Sequence, residues 1–131
     1  MNCLILAAGL GSRLKEFTKN KPKAMIEIKG EILLDTQIKA ALSIGVDNVY
    51  IVSGYKSNVI SEHIQKKYDE KVKIIHNFQF ASSNSAFSWL LAAPYIYNQP
   101  CLHLNCDVLF TRDSLLSLIN QFKKEKLSLI H

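Results

Sequence analysis

Met1-Asn2-Cys3-Leu4-Ile5-Leu6-Ala7-Ala8-Gly9-Leu10-Gly11-Ser12-Arg13-Leu14 opens the chain, with Thr18 and Lys21-Pro22-Lys23 close behind. Asn2 to Leu6 is a short continuous apolar run, the pattern of a strand buried on both faces. Two alanines and a Gly-x-Gly turn stop it. Small residues let a ligand press against the backbone. A glycine-rich turn leaves amide N–H groups free to hold anionic oxygens. Arg13 follows two residues after Gly11. Pro22 lacks an amide hydrogen and favours an extended Lys21, so the Pro-Lys pair fixes the return of the loop and aims Lys23 at the same place.

Outward from that stretch, strand and helix signals alternate. Residues 9–23 read as a loop with one helical turn around Ser12 to Phe17, and Ala24 to Ile28 as a short strand before a Lys29-Gly30-Glu31 turn. Leu33 to Ile44 has apolar residues at helical spacing, with Gly45 as its stop. Asn48 to Ser53 is β-branched and reads as a strand. Ser57 to Tyr68 is helical with Ser57 as cap. Val72 to His76 is a strand, and Phe78 to Ser83 a loop. A helix capped by Ser83 or Asn84 runs through Phe87 and Trp89, taken as core, to about Ala93, where Pro94 bends or ends it. Cys101 to Cys106 is a strand with Asp107 at its end. Asp113-Ser114 begins a helix through Lys123, and Leu127 to Ile130 opens a further strand. This order predicts a three-layer α/β sandwich with a mostly parallel, Rossmann-like central sheet. Ligands in such sheets bind beyond the carboxyl ends of the strands. Gly9, Gly54 and Asp107 all fall at such ends.

Two common glycine-rich loops fail against this stretch. The G-x-x-x-x-G-K-[ST] phosphate loop needs a Gly-Lys-Ser/Thr that is missing here. The dinucleotide fingerprint G-x-G-x-x-G/A would place Leu14 at its third small position, where it would crowd the helix–strand contact. A nucleoside triphosphate site, with Ala7, Ala8, Gly9 and Gly11 lining the nucleotide by backbone contacts, is the expectation that remains. Arg13 and Lys23 add mobile positive charge to the same place. The competing readings are a plain tight turn and solvated loop charges. Lys15, Lys19 and Lys21 are read as the latter.

Leu6-Ala7-Ala8-Gly9-Leu10-Gly11-Ser12-Arg13-Leu14, then Thr18, then Lys21-Pro22-Lys23-Ala24-Met25, resembles the signature of the sugar-phosphate and phosphocholine nucleotidyltransferases. Gly54-Tyr55 after a strand, Asn84-Ser85 opening a helix and Asn105-Cys106-Asp107 ending a strand extend the resemblance in order along nearly the whole chain. The resemblance implies transfer of a nucleoside monophosphate from a triphosphate, CTP favoured, to a phosphorylated small molecule such as phosphocholine or a sugar 1-phosphate. Leu6 to Gly9, Gly11, Ser12, Arg13, Lys23, Gly54, Tyr55, Asn84 and Ser85 would then hold the nucleotide, with Arg13 and Lys23 neutralising the β- and γ-phosphates and the charge growing on the pyrophosphate leaving group. Asn84 and Ser85 would read the base, although a simple N-cap would use the same residues. Asp107 would hold Mg²⁺, which takes one or two carboxylates plus phosphate oxygens. Capping of the turn before Thr111 is its alternative role. The second metal aspartate and most of the acceptor site of such enzymes lie in a later half with no match here. The resemblance therefore implies a single domain over residues 1–131 that is the N-terminal half of such an enzyme. Its alternative is a noncatalytic nucleotide-binding or partner-binding derivative.

The 131 residues are 48% hydrophobic and 21% charged, enough for a real core and against disorder. The net charge is +5, and residues 1–30 carry six basic against two acidic side chains, so most of it sits on the proposed phosphate loop. No basic stripe with interleaved aromatics continues beyond it, which argues against nucleic acid. The six-residue apolar run Cys3 to Ala8 is too short to span a membrane, and Asn2-Cys3 is no basic leader. Cys3, Cys101 and Cys106 form no CxxC pair and suggest reduced thiols in a cytoplasm. Of four histidines, His103 alternates with Asn105 and Asp107 on one strand; His63 and His76 carry no signal. A sheet ending at Leu127–Ile130 would leave an unpaired edge and favour association into a homo-oligomer.

Overall fold

The computed structural model describes residues 1–9, 21–82, 85–106 and 112–130, with the backbone alone at Ser85, Arg112 and 125–130. The elements are β1 (Asn2–Ala7), a 3₁₀ turn (Lys23–Met25), β2 (Glu27–Ile28), β3 (Glu31–Ile32), α1 (Leu33–Ser43), β4 (Val49–Ser53), α2 (Ser57–Lys67), β5 (Val72–His76), α3 (Ser85–Ile96), β6 (Cys101–Asn105) and α4 (Arg112–Ile130). The main sheet has the order β5-β4-β1-β6, and all three pairings are parallel. β2 and β3 form a separate antiparallel hairpin.

β1 is buried along its whole length because it has a strand on either side and helices on both faces. Alternation divides its side chains between two cores. Cys3, Ile5 and Ala7 pack in the cluster that holds Leu34, Ile38 and Ala41 of α1, Ile60 and Ile64 of α2 and Leu115 of α4. Leu4, Leu6 and Ala8 pack with Tyr50, Val52 and the α3 residues Ala92 and Ile96. Helices therefore cover both sides of the sheet, and the three-layer Rossmann-like arrangement is as expected. Val46 N–H bonds to Ala41 C=O and Gly45 N–H to Leu42 C=O, a Schellman closure of α1. Gly45 stands at φ +89°, which only glycine adopts at low cost.

Several local expectations need correction. Ala24–Ile28 is not one strand. Met25 N–H reaches Pro22 C=O at 2.9 Å and makes a 3₁₀ turn first, so only Glu27–Ile28 is extended. The hairpin turn is Lys29-Gly30, both at positive φ, and Glu31 already belongs to β3. Ser57 does not cap α2. Lys56 occupies the cap at φ 50°, and the Ser57 hydroxyl turns instead to Ser53 Oγ (2.7 Å) and His76 Nδ1 (2.5 Å). Pro94 lies inside α3 rather than ending it. Its ring costs the carbonyl of Leu90 its helical partner, and Leu90 is 62% exposed, so water can replace that bond. Trp89, expected in the core, is 44% exposed. Leu127–Ile130 continues α4 rather than opening a strand. No glycine or proline interrupts the chain from Arg112 to Ile130, and Lys123 to Leu127 are strong helix formers. Among the described residues the sheet instead ends at β6.

Candidate nucleotide-binding site

The strand order reverses between β1 and β6. From β1 the chain steps outward to β4 and β5, then returns to the other side of β1 for β6. Such a switch point opens a crevice beyond the carboxyl ends of the two strands on either side. Here those ends are Ala7-Ala8-Gly9 and Asn105-Cys106. Cys106 N–H donates to Leu6 C=O at 3.2 Å, and Tyr55 N–H donates to Ala8 C=O at 3.4 Å. The exit of β1 is thus held from both sides. Ala8 is buried, and the chain surfaces at Gly9.

Gly9 and Gly54 are glycines for different reasons. A Cβ on Gly9 would meet nothing within 4 Å among the described residues, so protein packing does not demand the small residue there. A Cβ on Gly54 would lie 2.3 Å from Phe80 Cβ, 2.8 Å from Phe80 Cγ and 3.0 Å from Ala8 O. Phe80 sits over Gly54 and meets the Tyr55 ring at 6.1 Å between centroids. Lys56 Nζ stands 5.6 Å from the Tyr55 ring centroid. Sequence reading did not single out Phe80, because nothing local distinguishes it from an ordinary loop aromatic.

Lys23 begins the 3₁₀ turn after Pro22 and is partly exposed, while Ala24 and Met25 are buried in the larger core and anchor that turn. Ser85 is the first residue of α3. Gly11, Ser12, Arg13, Asn84 and Asp107 lie outside the described residues. The structure therefore brings Leu6, Ala7, Ala8, Gly9, Gly54 and Tyr55 to adjoining strand ends.

Two buried amides were also missed. Asn77, 2% exposed, follows β5 directly. Its N–H donates to Ser53 C=O at 2.7 Å, its Oδ1 accepts from Gln79 N–H at 2.9 Å, and its Nδ2 donates to Ser88 Oγ at 3.1 Å. The preference of asparagine for turns after strands was the available signal. Gln37, fully buried on α1, donates from Nε2 to Asn105 C=O at 2.7 Å. It interrupts the apolar face of Leu34, Ile38 and Ala41, which was the signal in that case.

Elsewhere, Asp35 on α1 is 2% exposed and accepts from Tyr68 Oη (2.6 Å), from His63 Nε2 (2.8 Å) and from Lys67 Nζ (3.0 Å). Burial raises its carboxyl pKa, but the hydrogen bonds from Tyr68, His63 and Lys67 outweigh that, and it lies below the usual carboxylate value. Burial pushes the Cys3 thiol up to about 12, so it packs as an inert apolar group. Among the described residues no cluster of three or more His, Cys, Asp or Glu could hold a metal ion. None of their helices is long and apolar enough to cross a membrane. Two apolar clefts of about 340 and 320 Å³, both lined by Met1, Pro100, Ile119 and Phe122, lie at the amino ends of β1 and β6, away from the crevice.

A parallel sheet with a small-residue strand end at its switch point defines an α/β protein with a ligand crevice at that end. The chain belongs to the MobA-like NTP transferase domain family, whose family model matches residues 3–130. It is 32% identical to the CTP:phosphoglutamine cytidylyltransferase of Campylobacter jejuni over 99% of this chain and 52% of that protein. It is 34% identical to the choline-phosphate cytidylyltransferase of Haemophilus influenzae over 89% of this chain and 48% of that one. The solved CTP:phosphocholine cytidylyltransferase of Streptococcus pneumoniae superposes with a TM-score of 0.72 at 27% identity, covering 86% of this chain and 49% of that chain. The chain spans about half the length of the curated relatives it matches.

Proposed function

We propose that this chain carries the nucleotide-binding part of a cytidylyltransferase that moves CMP from CTP to a phosphorylated small molecule and releases pyrophosphate. The observation that carries the reading is the Ala7-Ala8-Gly9 exit of β1 at the switch point, whose Gly9 no described protein atom requires to be small. The relatives' cytidylyltransferase activities support CTP as donor and a phosphorylated acceptor of the phosphocholine kind.

In the reaction, an acceptor phosphate oxygen attacks the α-phosphorus in line. The bond to the bridging oxygen breaks as the new P–O bond forms, and pyrophosphate leaves with that oxygen. The backbone at Ala8 and Gly9 would let the triphosphate lie against the strand end. Arg13 and Lys23 would balance the charge that accumulates on the leaving group, and a lost contact of that kind costs about 10²–10³ in rate. Asn84 and Ser85 would meet the cytosine edge. A single carboxylate, Asp107, follows Cys106 at the carboxyl end of β6. With phosphate oxygens completing the shell, that hard donor set fits Mg²⁺, which when bound would supply charge stabilisation on the phosphates.

The test is a calorimetric titration of the chain with CTP, UTP, dTTP, GTP and ATP, first with Mg²⁺ and then with EDTA. We expect CTP to bind best, to need the metal, and to lose that metal-dependent part in Asp107→Asn. Pyrophosphate release with an acceptor separates an enzyme from a domain that only binds. Failure of every triphosphate to bind would sink the reading.

A further inference from the structure

Asn77 holds both ends of one segment with one side chain. Its Oδ1 takes the Gln79 N–H, and its Nδ2 reaches Ser88 Oγ in the first turn of α3. The amide orientation follows from this pairing, because the turned-over amide would set its own hydrogens against the Gln79 N–H. Its backbone N–H fixes it in turn to Ser53 C=O, the last residue of β4 and the one before Gly54. Asn77 and Ser88 are 2% and 4% exposed, so the bond between them is shielded from bulk water. The segment they enclose, 80–87, contains Asn84 and Ser85. Phe80, at its start, is locked against Gly54 and Tyr55.

We propose that Asn77, acting through Ser88, is a positioning residue that sets base selectivity by fixing the start of α3 relative to the ends of β1 and β4. This rests on the reading of Asn84 and Ser85 as the base-reading pair. An Asx turn alone would satisfy Gln79 and leave α3 free to shift. A helix packed by its apolar face alone tolerates small slides, because hydrophobic contact is not directional. The Ser88 bond adds direction. Base reading depends on hydrogen bonds that fail over about 1 Å, whereas triphosphate binding at the β1 exit would rest on the backbone of Ala8 and Gly9.

The experiment compares Asn77→Ala and Ser88→Ala with the parent chain. Calorimetry with Mg²⁺ gives the CTP-to-UTP affinity ratio and, separately, the affinity for inorganic tripolyphosphate, a probe without a base. We expect both variants to lower the ratio about tenfold, while tripolyphosphate binding stays within about twofold. If the parent binds no triphosphate, the proposed function falls and this inference falls with it. If the parent binds triphosphates without base preference, this inference alone is overturned. An unchanged ratio in the folded variants overturns it too, as does a parallel loss of tripolyphosphate binding. Ser88→Ala removes one hydroxyl and leaves the Gln79 turn intact. If even that variant fails to fold, the bond is structural and the inference is wrong.

Discussion

Gly54→Ala tests the packing at the site with a single methyl group. The added Cβ would stand 2.3 Å from Phe80 Cβ and 2.8 Å from Phe80 Cγ, where carbon atoms rest at about 3.5–4.0 Å. An overlap above about 1 Å cannot be absorbed by rotating the ring, because Phe80 Cβ is fixed to its backbone. Ala8 O, at 3.0 Å, blocks retreat in the other direction. Either the loop carrying Phe80 moves or Tyr55 gives up its N–H bond to Ala8. Overpacking of this kind costs about 1–3 kcal/mol. For a chain of this size each kcal/mol is worth roughly 3–6 °C in Tm, so a loss of roughly 3–18 °C is expected. The effect should depend on Phe80. In a Phe80→Gly background the two clashing atoms are gone, and the alanine should cost at least about 1 kcal/mol less, a coupling read by a double-mutant cycle in thermal and urea unfolding. CTP binding to Gly54→Ala should weaken about tenfold, since Ala8 and Tyr55 bound the crevice. A variant with an unchanged Tm, or strictly additive double-mutant energies, would refute the reasoning.

Gly9→Ala should behave in the opposite way: with nothing among the described residues within 4 Å of its added Cβ, its stability should stay within about 0.5 kcal/mol of the parent. Its CTP affinity should still fall about tenfold if the triphosphate lies against that backbone, and undiminished binding would count against the proposed site. Asp35→Asn should cost about 2 kcal/mol or more at neutral pH, because Lys67 and His63 lose a buried carboxylate. The folded carboxyl lies below the unfolded value of about 3.9, so its stabilisation is present above that pH and is lost as pH falls through the folded pKa. The Tm of the parent should therefore drop more steeply than that of Asp35→Asn below about pH 4, and parallel curves would show that Asp35 contributes nothing ionic.

The layers were legible because β1 is a local pattern with a global meaning. A run apolar at every position needs cover on both faces, and the four-fold strand–helix alternation supplies the helices. The switch point followed from topology once β6 was placed. Legibility failed where two segments distant in sequence decide the outcome. Gly54 could be read as a strand stop, but its small size is set by Phe80, 26 residues later. Ser57 has the chemistry of a cap, yet the hydroxyl of Ser53 and the ring of His76 compete for it. Leu127–Ile130 has the composition of a strand, but composition does not supply a partner, and an uninterrupted run of helix formers extended α4 instead.

The buried amides mark where sequence reading can gain most. Asn77 and Gln37 each sit where a hydrophobic residue would pack without a desolvation cost, so each is retained only if its hydrogen bonds return more than burial takes. Gln37 bonds to the last carbonyl of β6, and Asn77 bonds across the loop that follows β5. Pro100 C=O and Cys106 N–H both point to β1, so the alternation of the strand directs the Asn105 carbonyl to the unpaired side of β6. Gln37 therefore satisfies the outward carbonyl nearest the crevice. What the amides add is direction, and both spend it within a residue or two of the strand ends that frame the crevice.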